Sequence, residues 1–137
     1  MSTLNVSNIT DGTTTVGTSY VVNGSAKAWY HLDNDYTTSL NPNTGNLSIQ
    51  DSLNTSSVTD NGTGDYTMSW LNSFSNGFYS IVQQGQYISD ATTYEYGFME
   101  GIIGAPTTSQ YTFHWRYYSS SYYDPAKWWA AAHGDLA

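Results

Sequence analysis

The stretch that decides the fold is QYTFHWRYY, residues 110–118. Aromatic side chains stand at every second position, and mostly polar or basic side chains stand between them. One set is Tyr111, Phe113, Trp115 and Tyr117, and the other is Thr112, His114, Arg116 and Tyr118. Successive side chains of a β-strand point to opposite faces of the sheet. The alternation therefore predicts a strand that buries one aromatic face.

The same period of two recurs earlier in the chain. Tyr66, Met68 and Trp70 share one face of the run YTMSW, with Thr67 and Ser69 on the other. Two further runs that indicate strands are AKAWYHL (26–32) and FYSIVQQ (78–84). Large aromatic side chains suit a pleated, half-buried surface, so we expect Trp70 and Trp115 to be core residues.

Turn-forming pairs separate these runs. Asp11-Gly12, Asn23-Gly24 and Asn76-Gly77 are typical of tight turns, and such signals recur at intervals of roughly 8 to 12 residues. That spacing favours a sandwich or a barrel. We therefore predict an all-β fold, an antiparallel, jelly-roll-like β-sandwich, with helix below roughly a tenth of residues against a typical third.

The two ends of the chain need separate interpretation. Residues 1–22 are polar and loosely patterned, and we interpret them as an N-terminal arm or docking segment before a sandwich domain at 23–137. In Ala126 to His133 (AKWWAAAH), three alanines favour a helix locally, and Asp124-Pro125 could start one. A single helix closing an all-β chain would be unusual, so we predict a final strand.

Composition excludes several classes of protein. Of 137 residues, 10% are charged and 16% are aromatic, and the net charge is -8 with three cations. Binding to nucleic acid requires cations that displace counterions, so we expect no nucleic-acid partner. No apolar run approaches the roughly 20 residues that span a bilayer, so we expect no membrane insertion. The absence of cysteine excludes disulfides and thiolate metal sites.

Three segments carry a resemblance to a known group of proteins. They are NGSAKAW (23–29), IQDSLNTSSVTDNGTGDYTM (49–68) and GDLA (134–137), of which SSVTDNGTGDYT is the most specific. The chain resembles the C-terminal region of tail-fibre and related virion proteins of phages that infect cyanobacteria and other aquatic bacteria. The loop Asp33 to Asn46 is longer than in that group, and the segment from Tyr87 to Trp129 is richer in tyrosine and tryptophan.

The resemblance implies a non-enzymatic virion protein. We expect a fibre subunit of a tailed bacteriophage, made in the host bacterial cytoplasm, exposed on the particle and contributing to attachment to the host surface. The N-terminus has no basic region followed by an apolar core, which agrees with synthesis in the cytoplasm. The alternatives are a capsid decoration or cement protein, a polysaccharide-degrading tailspike enzyme and a free carbohydrate-binding module.

The residues that could carry chemistry are few, and we predict no catalytic residue, cofactor or metal. His31, His114 and His133 are far apart in sequence, whereas zinc needs three or four converging ligands. Asp33-Asn34-Asp35 and Asp60 to Asp65 offer oxygen ligands for calcium, but their spacing does not match an EF-hand. Turn chemistry alone explains Asp60-Asn61-Gly62, and we favour that interpretation. Glu95 and Glu100 are the only glutamates, and a hydrolytic pair of carboxylates is the less favoured interpretation.

An aromatic cluster is the candidate surface for contact with a glycan or receptor. Its members, which crowd around Ser119 to Ser121, are Tyr117, Tyr118, Tyr122, Tyr123, Trp128 and Trp129. Tyrosine and tryptophan supply flat amphipathic area at low entropic cost, which suits both sugar rings and protein interfaces. We favour subunit packing over ligand binding for the cluster as a whole. We expect Tyr118 and Tyr122 on the outer face or on loops.

The predicted sheet edges are poorly defended. Natural sheets protect their edges with lysine, proline or charge, and this chain has three prolines and few charges. Closed symmetry covers such edges with identical neighbours. Fibre proteins of the resembling group are usually trimers, so we predict a homotrimer whose arm, Ser2 to Tyr20, docks on a neighbour or on the virion. The expected partners are thus the chain itself, other virion proteins and host-surface polysaccharide.

Overall fold

The structure is a computed structural model and describes residues 5–33, 48–88, 94–116 and 122–137, without the side chains of 19, 20, 23, 87–100 and 102. Within these residues the chain forms one short helix, α1 (Thr18–Gly24), and ten strands. The strands are β1 (Asn8–Thr10), β2 (Thr15–Gly17), β3 (Ala28–Asp33), β4 (Ser48–Leu53), β5 (Thr55–Gly62), β6 (Asp65–Trp70), β7 (Ser80–Ile88), β8 (Tyr94–Ile103), β9 (Gln110–Arg116) and β10 (Lys127–His133). The predicted all-β class is confirmed.

One antiparallel sheet of eight strands makes up most of the fold. Its strand order is β4-β3-β10-β7-β8-β9-β6-β5. The sheet folds over so that its first four strands face its last four. Across the two layers the hydroxyls of Tyr30 and Tyr111 lie 2.6 Å apart, and the rings of Tyr66 and Trp128 are 4.9 Å apart between centroids. The fold is therefore an antiparallel β-sandwich. The ladder continues from β7 into β8, so the two layers are joined along one side.

The core is aromatic, as the alternating pattern predicts. Strands β6 and β9 bury every second side chain and leave the intervening ones partly exposed. Trp70 and Trp115 are both buried, which confirms the prediction for these two residues. The principal rings packed between the layers belong to Tyr30, Tyr66, Trp70, Phe74, Tyr79, Tyr111, Phe113, Trp115 and Trp128. Stacked and edge-on contacts among them fill the space that aliphatic side chains fill in other sandwiches.

Strand β10 settles the ambiguous C-terminal segment. The prediction of a strand is confirmed, in spite of the three alanines. The strand pairs with β3 on one side and with β7 on the other, so its backbone hydrogen-bonding groups are satisfied by neighbours rather than within a helix. Trp128, Ala130 and Ala132 point into the core. Tertiary pairing thus overrides the helix propensity of the three alanines.

The N-terminal segment forms its own small unit. Strands β1 and β2 pair as a two-stranded sheet around the predicted Asp11-Gly12 turn, where Asp11 Oδ1 accepts hydrogen bonds from the backbone N–H groups of Thr13 and Thr14. These bonds hold the pKa of Asp11 below its ordinary value. Helix α1 follows, and Asn23-Gly24, which the sequence predicts as a tight turn between strands, lies at the end of this helix instead. The boundary predicted between residues 22 and 23 falls inside this helix, and the large sheet begins at Ala28.

The two end strands of the sheet meet at a single residue. Strands β4 and β5 are consecutive in the chain and are joined by Asn54, whose backbone φ is 56°. Its side-chain oxygen accepts hydrogen bonds from the backbone and side-chain nitrogens of Asn72, at 2.7 and 3.0 Å. Asparagine tolerates this left-handed conformation better than most residues. This turn, which we call the Asn54 corner, therefore carries the chain from one layer to the other.

Four tyrosine hydroxyls are placed in or beside the core. Those of Tyr30 and Tyr111 both reach Gln83 Oε1, at 3.2 and 3.0 Å. The hydroxyl of Tyr66 donates to Asp124 Oδ1 at 2.6 Å, and that of Tyr79 donates to backbone carbonyls. Burial, which disfavours the ionised phenolate, raises the pKa of all four tyrosines.

Candidate binding surface

The structure divides the predicted aromatic cluster. Trp128 is 1% exposed and packs in the core, so it is not available to a ligand at the surface. Trp129, the next residue of β10, is 42% exposed and points to the outer face of the same layer. The alternation of the strand separates the two neighbours. Tyr117 and Tyr118 lie outside the described residues.

Tyr122 belongs to a different surface from Trp129. Its backbone forms an isolated antiparallel β-bridge with Arg116, the last residue of β9 in the second layer, and its side chain is 40% exposed. The Arg116 guanidinium lies 4.5 Å from the centroid of the Tyr122 ring and donates to its hydroxyl at 2.7 Å. The His114 ring stands 4.7 Å away on the same outer face. Tyr123, the next residue, is half-buried. Tyr122 therefore lies at the surface, as predicted, but not together with Trp129.

A row of polar and aromatic residues crosses the outer face of the first layer. The register pairs Trp129 with Gln84 on one side and with His31 on the other, and His31 pairs in turn with Asp51. Residues in register on adjacent strands point to the same face. Gln84, Trp129, His31 and Asp51 therefore stand side by side on β7, β10, β3 and β4. The His31 and Trp129 rings are 5.6 Å apart between centroids.

The neighbouring row is apolar. Ala131 pairs with Val82 on β7 and with Trp29 on β3, and Trp29 pairs with Leu53 on β4. The short side chain of Ala131 lies between two larger ones and leaves a depression. Val82 and Leu53 are exposed, and Trp29 is 36% exposed. Large apolar side chains grouped on one open face of a sheet mark candidate contact surfaces.

Together the two rows form an open groove of about 560 Å³. Its lining includes Trp29, Trp129, His31, Asp51, Val82 and Gln84. Small-molecule sites usually have volumes of about 300–1,000 Å³ and combine apolar walls with a few polar groups. The groove has both features. We call it the tryptophan groove.

The tryptophan groove has an acidic character. Among the described residues that line it there is a carboxylate, Asp51, and no lysine or arginine. The nearest cation along β10 is Lys127, which stands opposite Asp33 of β3. Its Nζ lies 3.4 Å from Asp33 Oδ2, so the two charges form an ion pair. The groove thus presents hydrogen-bond acceptors and no fixed positive charge.

Two of the histidines do not converge. His31 lies on the outer face of the first layer, and His114 lies on that of the second, where Asp65 is 3.5 Å away. In the described part of the chain, no group of three or more histidine, cysteine, aspartate or glutamate side chains could hold a metal ion. Asn34 and Asp35 of the first acidic cluster lie outside the described residues. Glu95 and Glu100 lie in β8, where the side chains are not described.

The Asp60 to Asp65 segment forms the hairpin between β5 and β6. Asp60 Oδ1 accepts a hydrogen bond from the Gly62 backbone N–H at 2.8 Å, and Asn61 donates to Asp65 Oδ1 at 3.1 Å. Gly62 and Gly64 have φ values of 134° and 67°, which favour glycine. These residues serve a turn, in agreement with the turn interpretation.

Most residues of the groove carry no sequence signal for a binding site. The run AKAWYHL places Trp29 and His31 in a predicted strand, and nothing in the sequence alone joins them to Asp51. The alternation in AKAWYHL places Trp29 and His31 on one face, and that in AKWWAAAH places Trp129 and Ala131 on one face. That both faces belong to one surface follows only from the pairing of β3 with β10.

Comparison with known proteins identifies no family for this chain. No family model, no curated protein and no solved structure matches the chain. In the part of the chain that the structure describes, no helix is long and apolar enough to cross a membrane.

Proposed function

We propose that this chain is a non-enzymatic fibre subunit of a tailed bacteriophage, exposed on the particle and contributing to attachment to the host surface. The observation that carries the attachment role is the tryptophan groove, which places two exposed tryptophans and several polar groups on one open sheet face. The virion assignment is supported by the resembling segments at 23–29, 49–68 and 134–137. The β-sandwich agrees with a fibre domain.

The proposed assembly is a homotrimer that contacts other virion proteins. Among the described residues, β4 pairs only with β3 and β5 only with β6, so each has an open edge next to the Asn54 corner. Open strand edges are sites where a neighbouring chain can add. The N-terminal unit bears exposed Val6, Ile9 and Val16, which suit docking on a neighbour or on the particle. Light scattering of the purified chain should give three times the monomer mass, and a stable monomer would refute the trimer.

The test of the virion role is direct. Antibodies against the purified chain are applied to particles of the phage whose genome encodes it, and the label is imaged by electron microscopy. A fibre subunit gives label on fibres at a small copy number per particle. Label at many equivalent capsid positions would instead support the decoration alternative. Absence of the chain from purified particles would refute both.

A separate assay tests the enzymatic alternative. The purified chain is incubated with host-surface polysaccharide, and reducing ends are measured over time. A fibre subunit without catalysis releases none above background. Sustained release that is lost in a Glu95→Gln or Glu100→Gln variant would overturn the non-enzymatic assignment, since hydrolysis uses a pair of carboxylates.

A further inference from the structure

We infer that the tryptophan groove binds a neutral saccharide, with sugar rings packed on Trp129 and Trp29 and sugar hydroxyls bonded to Asp51, His31 and Gln84. The inference deepens the proposed attachment role by naming the ligand class and the residues. The binding itself is a property of the isolated chain and can be measured without the particle.

The exposed indoles of the groove match the shape of a sugar ring. A pyranose ring has faces made largely of C–H groups, and these pack on flat aromatic surfaces. Trp129 and Trp29 are the two exposed tryptophans of the groove, and they lie on adjacent strands, β10 and β3, in neighbouring register rows. Ala131 lies between Trp29 and Val82 and keeps the floor low. An exposed indole beside a low floor gives a ring both a platform and room to approach.

The polar side chains of the groove match the hydroxyls at the rim of a sugar ring. A pyranose carries hydroxyls around its edge, and each can donate and accept a hydrogen bond. Asp51 supplies acceptors, Gln84 supplies a donor and an acceptor, and the His31 ring supplies further nitrogen sites. The row spans four strands, or about 14 Å at the usual strand spacing. That length exceeds one pyranose ring, so the groove suits a short oligosaccharide.

Charge selects between saccharide classes. The described lining holds the Asp51 carboxylate and no lysine or arginine, and the chain has a net charge of -8. Lys127, the nearest cation on the strand, is paired with Asp33. Sialylated, sulfated and uronic-acid glycans would meet this acidic surface with no cation to compensate. The groove therefore favours neutral glycans.

The Asp51 carboxylate argues against the groove of a second copy of the chain as the occupant. A contact between two grooves would bring the two Asp51 carboxylates together, and like charges repel each other. A hydrophobic dimer face also depletes charged groups at its centre. The row that contains Asp51 and His31 does not have that composition.

The experiment uses the intact chain and defined probes. Glucose-, mannose- and galactose-based tri- and tetrasaccharides are titrated into the protein by calorimetry and by tryptophan fluorescence, with sialyllactose and an alginate trisaccharide as anionic probes. We expect binding of at least one neutral series and at least tenfold weaker binding of both anionic probes. Failure of every neutral probe, or preference for an anionic one, would overturn the inference.

Variants then locate the site. Trp129→Ala and Trp29→Ala should each lower affinity about tenfold or more, as truncation of a central aromatic contact does. Asp51→Asn, which changes a charge on an exposed side chain, should lower it several-fold. Matched controls are Phe78→Ala, at an aromatic that is 94% exposed and does not line the groove, and Tyr122→Ala on the other layer. Both should bind as the wild type does.

The outcomes separate the site from the virion role. Equal binding by Trp129→Ala, with an unchanged far-ultraviolet spectrum, would refute the groove. Loss of binding in Tyr122→Ala alone would place the ligand on the other layer. Self-association of the wild type that Trp129→Ala abolishes, without any sugar binding, would make the groove a subunit interface. Sugar binding by a chain absent from particles would uphold this inference and refute the fibre assignment.

Discussion

Replacing Gly85 by alanine tests the packing between the two layers. Gly85 lies in β7 opposite Trp128 of β10, and the indole of Trp115 from the facing layer fills the space beside it. A Cβ at position 85 would lie 2.3 Å from Trp115 Cη2 and 2.7 Å from its Cζ3. Carbon atoms pack best about 3.5–4.0 Å apart, so the indole or β7 would have to move by about 1 Å. Trp115 is 1% exposed, so neighbouring groups enclose its indole.

The expected cost of Gly85→Ala is about 2 kcal/mol in the free energy of unfolding. Overpacking in a dense core costs about 1–3 kcal/mol, and the reduced flexibility of the unfolded chain returns up to about 1 kcal/mol. For a chain of this length the melting temperature should fall by about 6 °C. Urea unfolding followed by tryptophan fluorescence measures the change. Gly24→Ala is the matched control, because a Cβ there meets nothing within 4 Å.

A double-mutant cycle identifies the cause. Trp115→Phe removes the indole atoms nearest Gly85 and is itself destabilising, because it leaves a cavity. In that background Gly85→Ala should cost almost nothing, which gives a coupling of about 2 kcal/mol between the two sites. Additive effects of the two substitutions, or a Gly85→Ala protein as stable as the wild type, would refute the packing argument.

Three further predictions follow from other parts of the fold. Trp128→Ala should lower the free energy of unfolding by about 3–5 kcal/mol and Trp129→Ala by less than about 1 kcal/mol in urea titrations; equal effects would contradict the alternation of β10. Asn54→Ala should cost about 1–3 kcal/mol and Asn54→Gly less, since glycine keeps the backbone conformation; the reverse order would contradict the strained corner. The pKa of each core tyrosine is raised in the folded state, so above the unfolded value of about 10 the unfolded chain loses protons that the folded chain keeps. The contribution of Tyr30, Tyr66, Tyr79 and Tyr111 to the free energy of unfolding should thus be constant below about pH 10 and fall above it. In a pH titration the phenolate absorbance of these four residues should rise together with unfolding.

The strands could be predicted from local pattern because burial acts on every second residue. Residues 66–70 and 110–116 alternate so regularly that both their strand character and the burial of Trp70 and Trp115 followed from sequence. The order of the strands could not follow, since it depends on pairings between distant segments. Strand β10 lies between β3 and β7, and no local feature of any of the three specifies that arrangement.

The candidate site depended on those distant pairings. The aromatic cluster near the C-terminus was inferred from closeness in sequence, which places Trp128 and Trp129 together although they face opposite ways. Trp29 joins Trp129 only through the β3–β10 register. The helix at 18–24 was missed because its apolar residues are too few to show a helical period.

The central place of β10 in its layer also bears on how the chain folds. Strand β7 ends at Ile88, whereas β10 begins at Lys127. During synthesis the edges of β3 and β7 that pair with β10 therefore stay unpaired until β10 has been made. Contacts between such distant segments slow folding, because a long loop must close before any pairing is gained. The nascent chain exposes aromatic surface during that interval, when aggregation competes with folding. Yield at high expression temperature should therefore depend on how quickly β10 inserts.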